Sequence, residues 1–390
     1  MSWRGIATVA MHEFRIRLRT GRWRWLLGAW FVVLLVFTSL LRWALAAARP
    51  TFPAYYMGGP GQVDIPPPPP IGTPMFGGLM LFVLGLALLV VPALTAQSVN
   101  GDRERGVLAT LQVTLLTPTE IALGKLLAAW LTALVFLATT VPLVVWSVIE
   151  GGVGLGRVVV TMLVVALLLG VVCAVAQCLS ALLARSTTSA VLSYMAVFAL
   201  AVGTVIAFAL TLPLTAETRS VTERFPVWDG PPPEEEFIDP DGRFPPPAPP
   251  TPPGRQGEPD RWETQTYQVS DVRPEKVWWL LAPNPFVILA DAAPSTQPRF
   301  DPRSGARLAE PLDPLGEIGH AVREARDPSD HRAEPRFDTV PPEPTPEQQP
   351  GPVWPYGLVF DVLLGAGAVA LTIRRLRTPV RKLPRGVRIA

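Results

Sequence analysis

Six stretches of this chain are apolar on every side: residues 25–42, 75–97, 126–149, 158–184, 190–212 and 353–373. A bilayer core of about 30 Å needs about 20 such residues per helix. The expected fold is therefore an all-α polytopic membrane protein with six transmembrane helices. A membrane β-barrel is excluded, because its strands alternate apolar and polar residues. Nor does the first run resemble a cleaved leader, since no small-residue cleavage site follows it. Composition agrees: 49% of the 390 residues are hydrophobic and 17% charged, with a mean hydropathy of +0.31.

The intervals between the runs set the topology. Residues 1–24 read as a basic helix lying on the membrane surface. At helical spacing Trp3, Ile6, Ala10, Phe14 and Leu18 share one side, and Arg4, Thr8, His12, Arg15, Arg19 and Arg22 the other. Such an elbow either braces a soluble partner or serves only as a topology signal drawn to anionic lipid. If the N-terminus is cytoplasmic, the inner short segments hold 17 Lys and Arg and the outer ones 3, Arg42, Arg49 and Arg157. Positive residues are retained inside, so both termini are expected in the cytoplasm, residues 374–390 forming a basic tail.

Residues 213–352 then form a large extracytoplasmic loop between spans 5 and 6, with 14 basic and 25 acidic residues. Thirteen prolines fall between Pro226 and Pro259, around Glu234, Glu235 and Glu236. Such a mixture buries too little apolar area to offset chain ordering, so most of the loop is expected to be disordered. Residues 277–293, "VWWLLAPNPFVILADAA", are the exception. Too short to span, they suit the outer interface or a re-entrant dip, or a small buried cluster under the loop. Pro66 to Pro70 make a stiff polyproline spacer.

Polar chemistry inside the spans is sparse. Cys173 and Cys178 lie five apart on different faces of span 4, and His12, His320 and His331 are scattered, so neither a disulfide nor a metal site is expected. Gln97, Gln177, Ser180 and Ser193 suit interhelix hydrogen bonds. Glu150 and Asp361 are placed near outer span ends, within reach of water. No charge stands clearly at mid-depth, which argues against an ion-coupled or proton-coupled carrier.

Residues 98–125 contain "RERGVLATLQVTLLTPTEIALGK". Leu108, Leu111 and Leu115 recur at helical spacing, predicting an amphipathic helix over 102–116. Thr117 caps a second helix, Pro118 occupies its first position, and Glu120 completes a capping box. Helix, break, helix presents Arg103, Glu104, Arg105 and Glu120 as a charged knuckle joined to spans 2 and 3; the plainer reading is an interfacial loop with solvated charges. Gly124-Lys125 is no phosphate loop, because Leu126 stands where magnesium needs Ser or Thr, and Thr119 where the first glycine belongs. Any ATP must be handled by another chain, and no nucleotide cofactor or nucleic acid is expected here.

The segment Glu104, Arg105, Gly106, Leu108, Leu111, Leu115, Thr117, Pro118, Glu120, Gly124 and Lys125 resembles the cytoplasmic loop of ATP-binding-cassette (ABC) transporter permeases of the second export class. The six spans, the basic elbow and Asn284-Pro285 before the last span are similar too. The resemblance implies that this loop is a coupling helix docking on a cytosolic ABC ATPase subunit, with Arg103 among its charges. It further implies that two permease copies, identical or paralogous, pair in a bacterial plasma membrane around an export path. A membrane-anchored sensor or scaffold with a Pro-rich outer binding region is the alternative.

Overall fold

The computed structural model describes residues 2–19, 21–48, 69–96, 98–104, 117–227, 261–294, 312–327 and 351–377. It divides into two compact units, 1–211 with 274–390, and 212–273.

The larger unit is helical. In chain order it comprises α1 (Trp3–Arg19), α2 (Gly21–Ala47), α3 (Gly72–Thr95), α4 (Asn100–Glu104), α5 (Pro118–Ala138), α6 (Val141–Ile149), α7 (Leu155–Leu182), α8 (Ser186–Phe198), a π-turn (Ala199–Gly203) and α9 (Thr204–Thr211). After the smaller unit come α10 (Pro285–Ala292), α11 (Pro314–Arg326) and α12 (Trp354–Arg377). Among the described residues, six helical segments are long and apolar enough to cross a membrane, as the six runs predict.

Two spans depart from simple rods. The third breaks at Thr139 and Thr140 because Pro142, in the first turn of α6, has no N–H to continue the α5 ladder. The threonine hydroxyls donate instead to the carbonyls of Phe136 (2.7 Å) and Leu137 (2.6 Å). The fifth is interrupted by the π-turn, where the Asn284 amide donates to Ala201 O and Thr204 Oγ1, both at 2.8 Å. Gly151 and Gly152, with φ of 90° and 85°, make the tight turn from α6 into α7 that side chains resist.

The core centres on α3. Phe76, Leu79, Met80, Val83 and Leu84 are fully enclosed by Leu34 of α2, Leu168 and Leu169 of α7, Ile288 and Leu289 of α10 and Leu315 of α11. Within the apolar piece at 277–293, Pro285–Ala292 is thus a short helix inserted into the main core. Asn284 caps it, accepting from Phe286 N at 2.9 Å. Asp291, at its other end, is 1% exposed and accepts the amides of Val353 and Trp354, both at 2.6 Å, thereby capping α12; its carboxylate is also paired with Arg323 of α11.

The smaller unit is a two-stranded antiparallel hairpin, β1 (Glu217–Val227) against β2 (Arg261–Asp271), in register from Glu217 opposite Asp271 to Val227 opposite Arg261. Thr222 and Thr266 share a cross-strand hydroxyl bond of 3.0 Å, and Arg273 pairs with Glu217 at 2.7 Å. Within 213–352, the hairpin and α11 are ordered where the composition predicts disorder, while α10 falls in the apolar piece excepted from that expectation. The Pro-rich connector 228–260 and the tail from 378 lie outside the described residues.

Candidate functional site

Thr117 opens α5 as expected. Its Oγ1 accepts from the Glu120 amide at 3.3 Å, while Glu120 Oε2 accepts from the Thr117 amide at 2.9 Å, with Pro118 in the first turn. Two otherwise orphaned donors of the helix start are satisfied reciprocally. The other carboxylate oxygen of Glu120 accepts the Ser2 amide at 2.5 Å, a contact between residues 118 apart that ties the N-terminus of α1 to the first turn of α5. Glu120 is therefore buried at 5% exposure and belongs to a joint instead of standing in solvent.

Helix α1 packs along α5 with part of the expected apolar side: Ile6 and Ala10 of that stripe are buried, joined by Val9, whereas Trp3 is 74% exposed. A flat position on the membrane surface would leave all of that stripe to lipid; packing on a span selects the turn around Ile6 to Glu13. Gly124 makes the approach possible, for a Cβ there would lie 2.6 Å from Val9 Cβ and 3.1 Å from Ile6 O. No side chain fits between these backbones.

One residue later, Lys125 closes the joint. Its ammonium, 3% exposed, bonds Glu13 of α1 at 2.6 Å and pairs with Asp102 of α4. Burying a charge is tolerated only when it is paired, and here one lysine joins three helices. Next to it Ser180 Oγ of α7 accepts the amides of Val99 and Asn100 at 3.1 Å each, and Gln177 Nε2 donates to Ala122 O at 2.9 Å. Val99, Ile121, Ala122, Ala181 and Leu376 form a small apolar cluster, and Arg377 reaches Thr119 Oγ1 at 3.4 Å. The start of α5, the segment after α3 and the ends of α7 and α12 therefore meet at one end of the bundle, with α1 packed along α5.

Of the residues singled out from sequence, Thr117, Pro118, Glu120, Gly124 and Lys125 come together here. Arg103 and Glu104 lie in α4, of whose side chains at these positions nothing is described. Arg105, Gly106, Leu108, Leu111 and Leu115 lie outside the described residues, as does most of the helix expected over 102–116. Sequence reasoning missed Ser2, Glu13 and Asp102, whereas Gln177 and Ser180 make interhelix bonds of the kind expected of them. Glu13 is the one acid among residues 1–24, and its place three to four residues from Val9 and Ala10 is the signal that marks it.

At the other end the arginines are held by acids: Arg42 by Glu150 at 2.5 Å, and Arg157 by Asp313 at 2.6 Å, the latter pair with side chains 4% and 10% exposed. Asp361 departs from expectation. Placed by sequence near water, it is 2% exposed, and its Oδ1 has no hydrogen-bond partner. The chain matches no known family model and no curated protein.

Proposed function

We propose that the chain is the membrane-spanning permease subunit of an ABC transporter that exports a substrate across a bacterial plasma membrane. It works as a pair of permease copies, with ATP hydrolysed by separate cytosolic subunits. The observation that carries this reading is the joint at Glu120 and Lys125. The described helices on either side of segment 105–116, α4 and α5, are joined to each other and to α1 through Lys125, and Glu120 of α5 also holds Ser2. A soluble partner gripping that segment moves spans 2 and 3 and the elbow together. Differential grip on open and closed ATPases is what a ligand-driven shift requires.

Orientation is part of the proposal. The joint end carries Arg185, Arg374, Arg375 and Arg377 beside the arginine-rich α1, whereas Arg42 and Arg157 at the opposite end are offset by carboxylates. A positive-inside rule thus favours a cytosolic joint.

The test is co-purification with a cytosolic ABC ATPase, sought among the neighbouring reading frames. Charge reversal by Glu104→Arg or Arg105→Glu is expected to abolish stimulated ATP hydrolysis while leaving membrane insertion intact. A cysteine introduced at position 112 is expected to react only with reagents that reach the cytosol. Labelling from the exterior, or both reversals leaving hydrolysis and complex formation untouched, overturns the reading.

A further inference from the structure

Asp361 occupies the second turn of α12, about 10 Å along the axis from Trp354 at 1.5 Å per residue. It lines a cavity whose walls are otherwise apolar: Leu88 of α3, Leu168 and Val172 of α7, Leu200 of the π-turn and Pro285 of α10. The free space is about 10 Å³, close to the minimum for one water molecule. A carboxyl group with an unpartnered buried oxygen, enclosed by aliphatic side chains inside a span, needs a positive partner or a proton. None of the cavity walls supplies a cation.

The wall most able to move is the fifth span. Its most apolar eighteen-residue window contains no buried residue. Its hydrogen bonds to the bundle among the described residues include Ser189 Oγ on Ala96 O (3.0 Å), Tyr194 OH on Leu89 O (3.0 Å) and the Asn284 amide at the π-turn, and Val197 and Ala201 pack against the core half-buried. π-Turns recur at functional positions because they loosen the helical ladder locally. Displacing this span opens the Asp361 cavity sideways, toward the surroundings of the bundle.

We infer that Asp361 is the charge-recognising group of a laterally gated site for a lipophilic monocation, shut in the present arrangement and opened by movement of the span Ser186–Thr215. The aliphatic walls take the apolar body and the carboxylate takes the charge. A divalent metal is disfavoured, because one carboxyl among alkyl groups falls far short of six oxygen ligands. As the cargo site of an exporter this assignment rests on the permease reading; as a binding site it stands without it.

Binding is measured on the purified full chain in phosphatidylcholine nanodiscs, with no ATPase or ATP, using radiolabelled tetraphenylphosphonium and its anionic isostere tetraphenylborate. Saturable binding of the cation is expected, at least tenfold tighter than that of the anion. Asp361→Asn is expected to lose at least tenfold in affinity, and Asp361→Glu to retain most of it. Leu200→Trp, which fills the cavity with the acid intact, is expected to abolish binding and serves if Asp361→Asn does not fold. Tetraphenylphosphonium is also expected to protect Asp361 from dicyclohexylcarbodiimide. Absent saturable binding, equal affinity for the two ions, or binding unchanged in both Asp361→Asn and Leu200→Trp overturns the inference. Carbodiimide labelling that the cation leaves unprotected reassigns Asp361 as a proton site and overturns it too. Because no ATPase is present, failure here leaves the coupling proposal standing, and failure of the charge reversals leaves this one standing.

Discussion

Replacing Lys125 with methionine keeps most of the side-chain volume and removes the ammonium that joins α1, α4 and α5. The two pairs it breaks differ in burial. Asp102 is 12% exposed and Glu13 25%, against 3% for the lysine. Removing one member of a buried pair costs about 3–5 kcal/mol, while an exposed pair contributes about 0–1 kcal/mol. Asp102 belongs near the first class and Glu13 between the two, discounted for the water that reaches it. Lys125→Met is therefore expected to lose about 3–4 kcal/mol and Glu13→Gln about 1 kcal/mol, with Asp102→Asn in between because Lys125 keeps Glu13. Neighbours in one network do not add, so Lys125→Met combined with Asp102→Asn should cost less than the sum of the two by about 1–3 kcal/mol. Unfolding in mixed micelles by SDS titration, followed by tryptophan fluorescence, reads all four proteins. Equal losses for Glu13→Gln and Lys125→Met, or strict additivity in the double variant, would refute the burial-weighted account of the joint.

Gly124→Val puts a branched side chain where even a Cβ meets Val9 at 2.6 Å; a loss of about 1–3 kcal/mol is expected, with α1 newly sensitive to limited proteolysis. Asp291→Asn removes the charge facing Arg323 and weakens the cap on α12, and about 3 kcal/mol is expected to go; hydrogen exchange should rise at the Val353 and Trp354 amides, and unchanged protection there would contradict the cap. Replacing connector 228–260 by Asn-Gly joins strands that are already in register at Val227 and Arg261, so insertion and the unfolding midpoint should be unchanged; loss of folded protein would show that the connector carries structure.

The spans and the capping box were legible because both are local patterns. An all-round apolar run needs only its own length, and Thr117-Pro118-Thr119-Glu120 closes its bonds within one turn. What escaped is non-local. Lys125 finds its acids 23 and 112 residues away, so a linear reading leaves it at the mouth of a span with its charge in water. Asp361 looks peripheral by its place in the run, yet α10, which is not a span, covers that end of the bundle. The hairpin escaped for a different reason: "ETRSVTERFPV" and "RWETQTYQVSD" have no buried face to impose apolar alternation. Its described side chains are almost all exposed, and its pairing rests on cross-strand contacts such as Thr222 with Thr266 across 44 positions.

The joint and the Asp361 cavity are connected by the same two helices. On α12, Leu376 lies in the cluster beneath the joint and Asp361 fifteen residues before it, about 22 Å along a rod of 1.5 Å rise. On α7, Ala181 meets the joint, while Leu168 and Val172 line the cavity. Between these points the two helices touch through Ala174, Cys178 and Ala368, residues small enough for close contact. On the permease reading, a tilt imposed at the joint would reach the cavity as a relative displacement of α7 and α12 against the fifth span, without any change in helix length. Packed interfaces of this kind switch between discrete arrangements instead of deforming continuously. On this geometry a substitution that bulks the contact, such as Ala368→Phe, is expected to uncouple the two ends while leaving the Lys125 network intact.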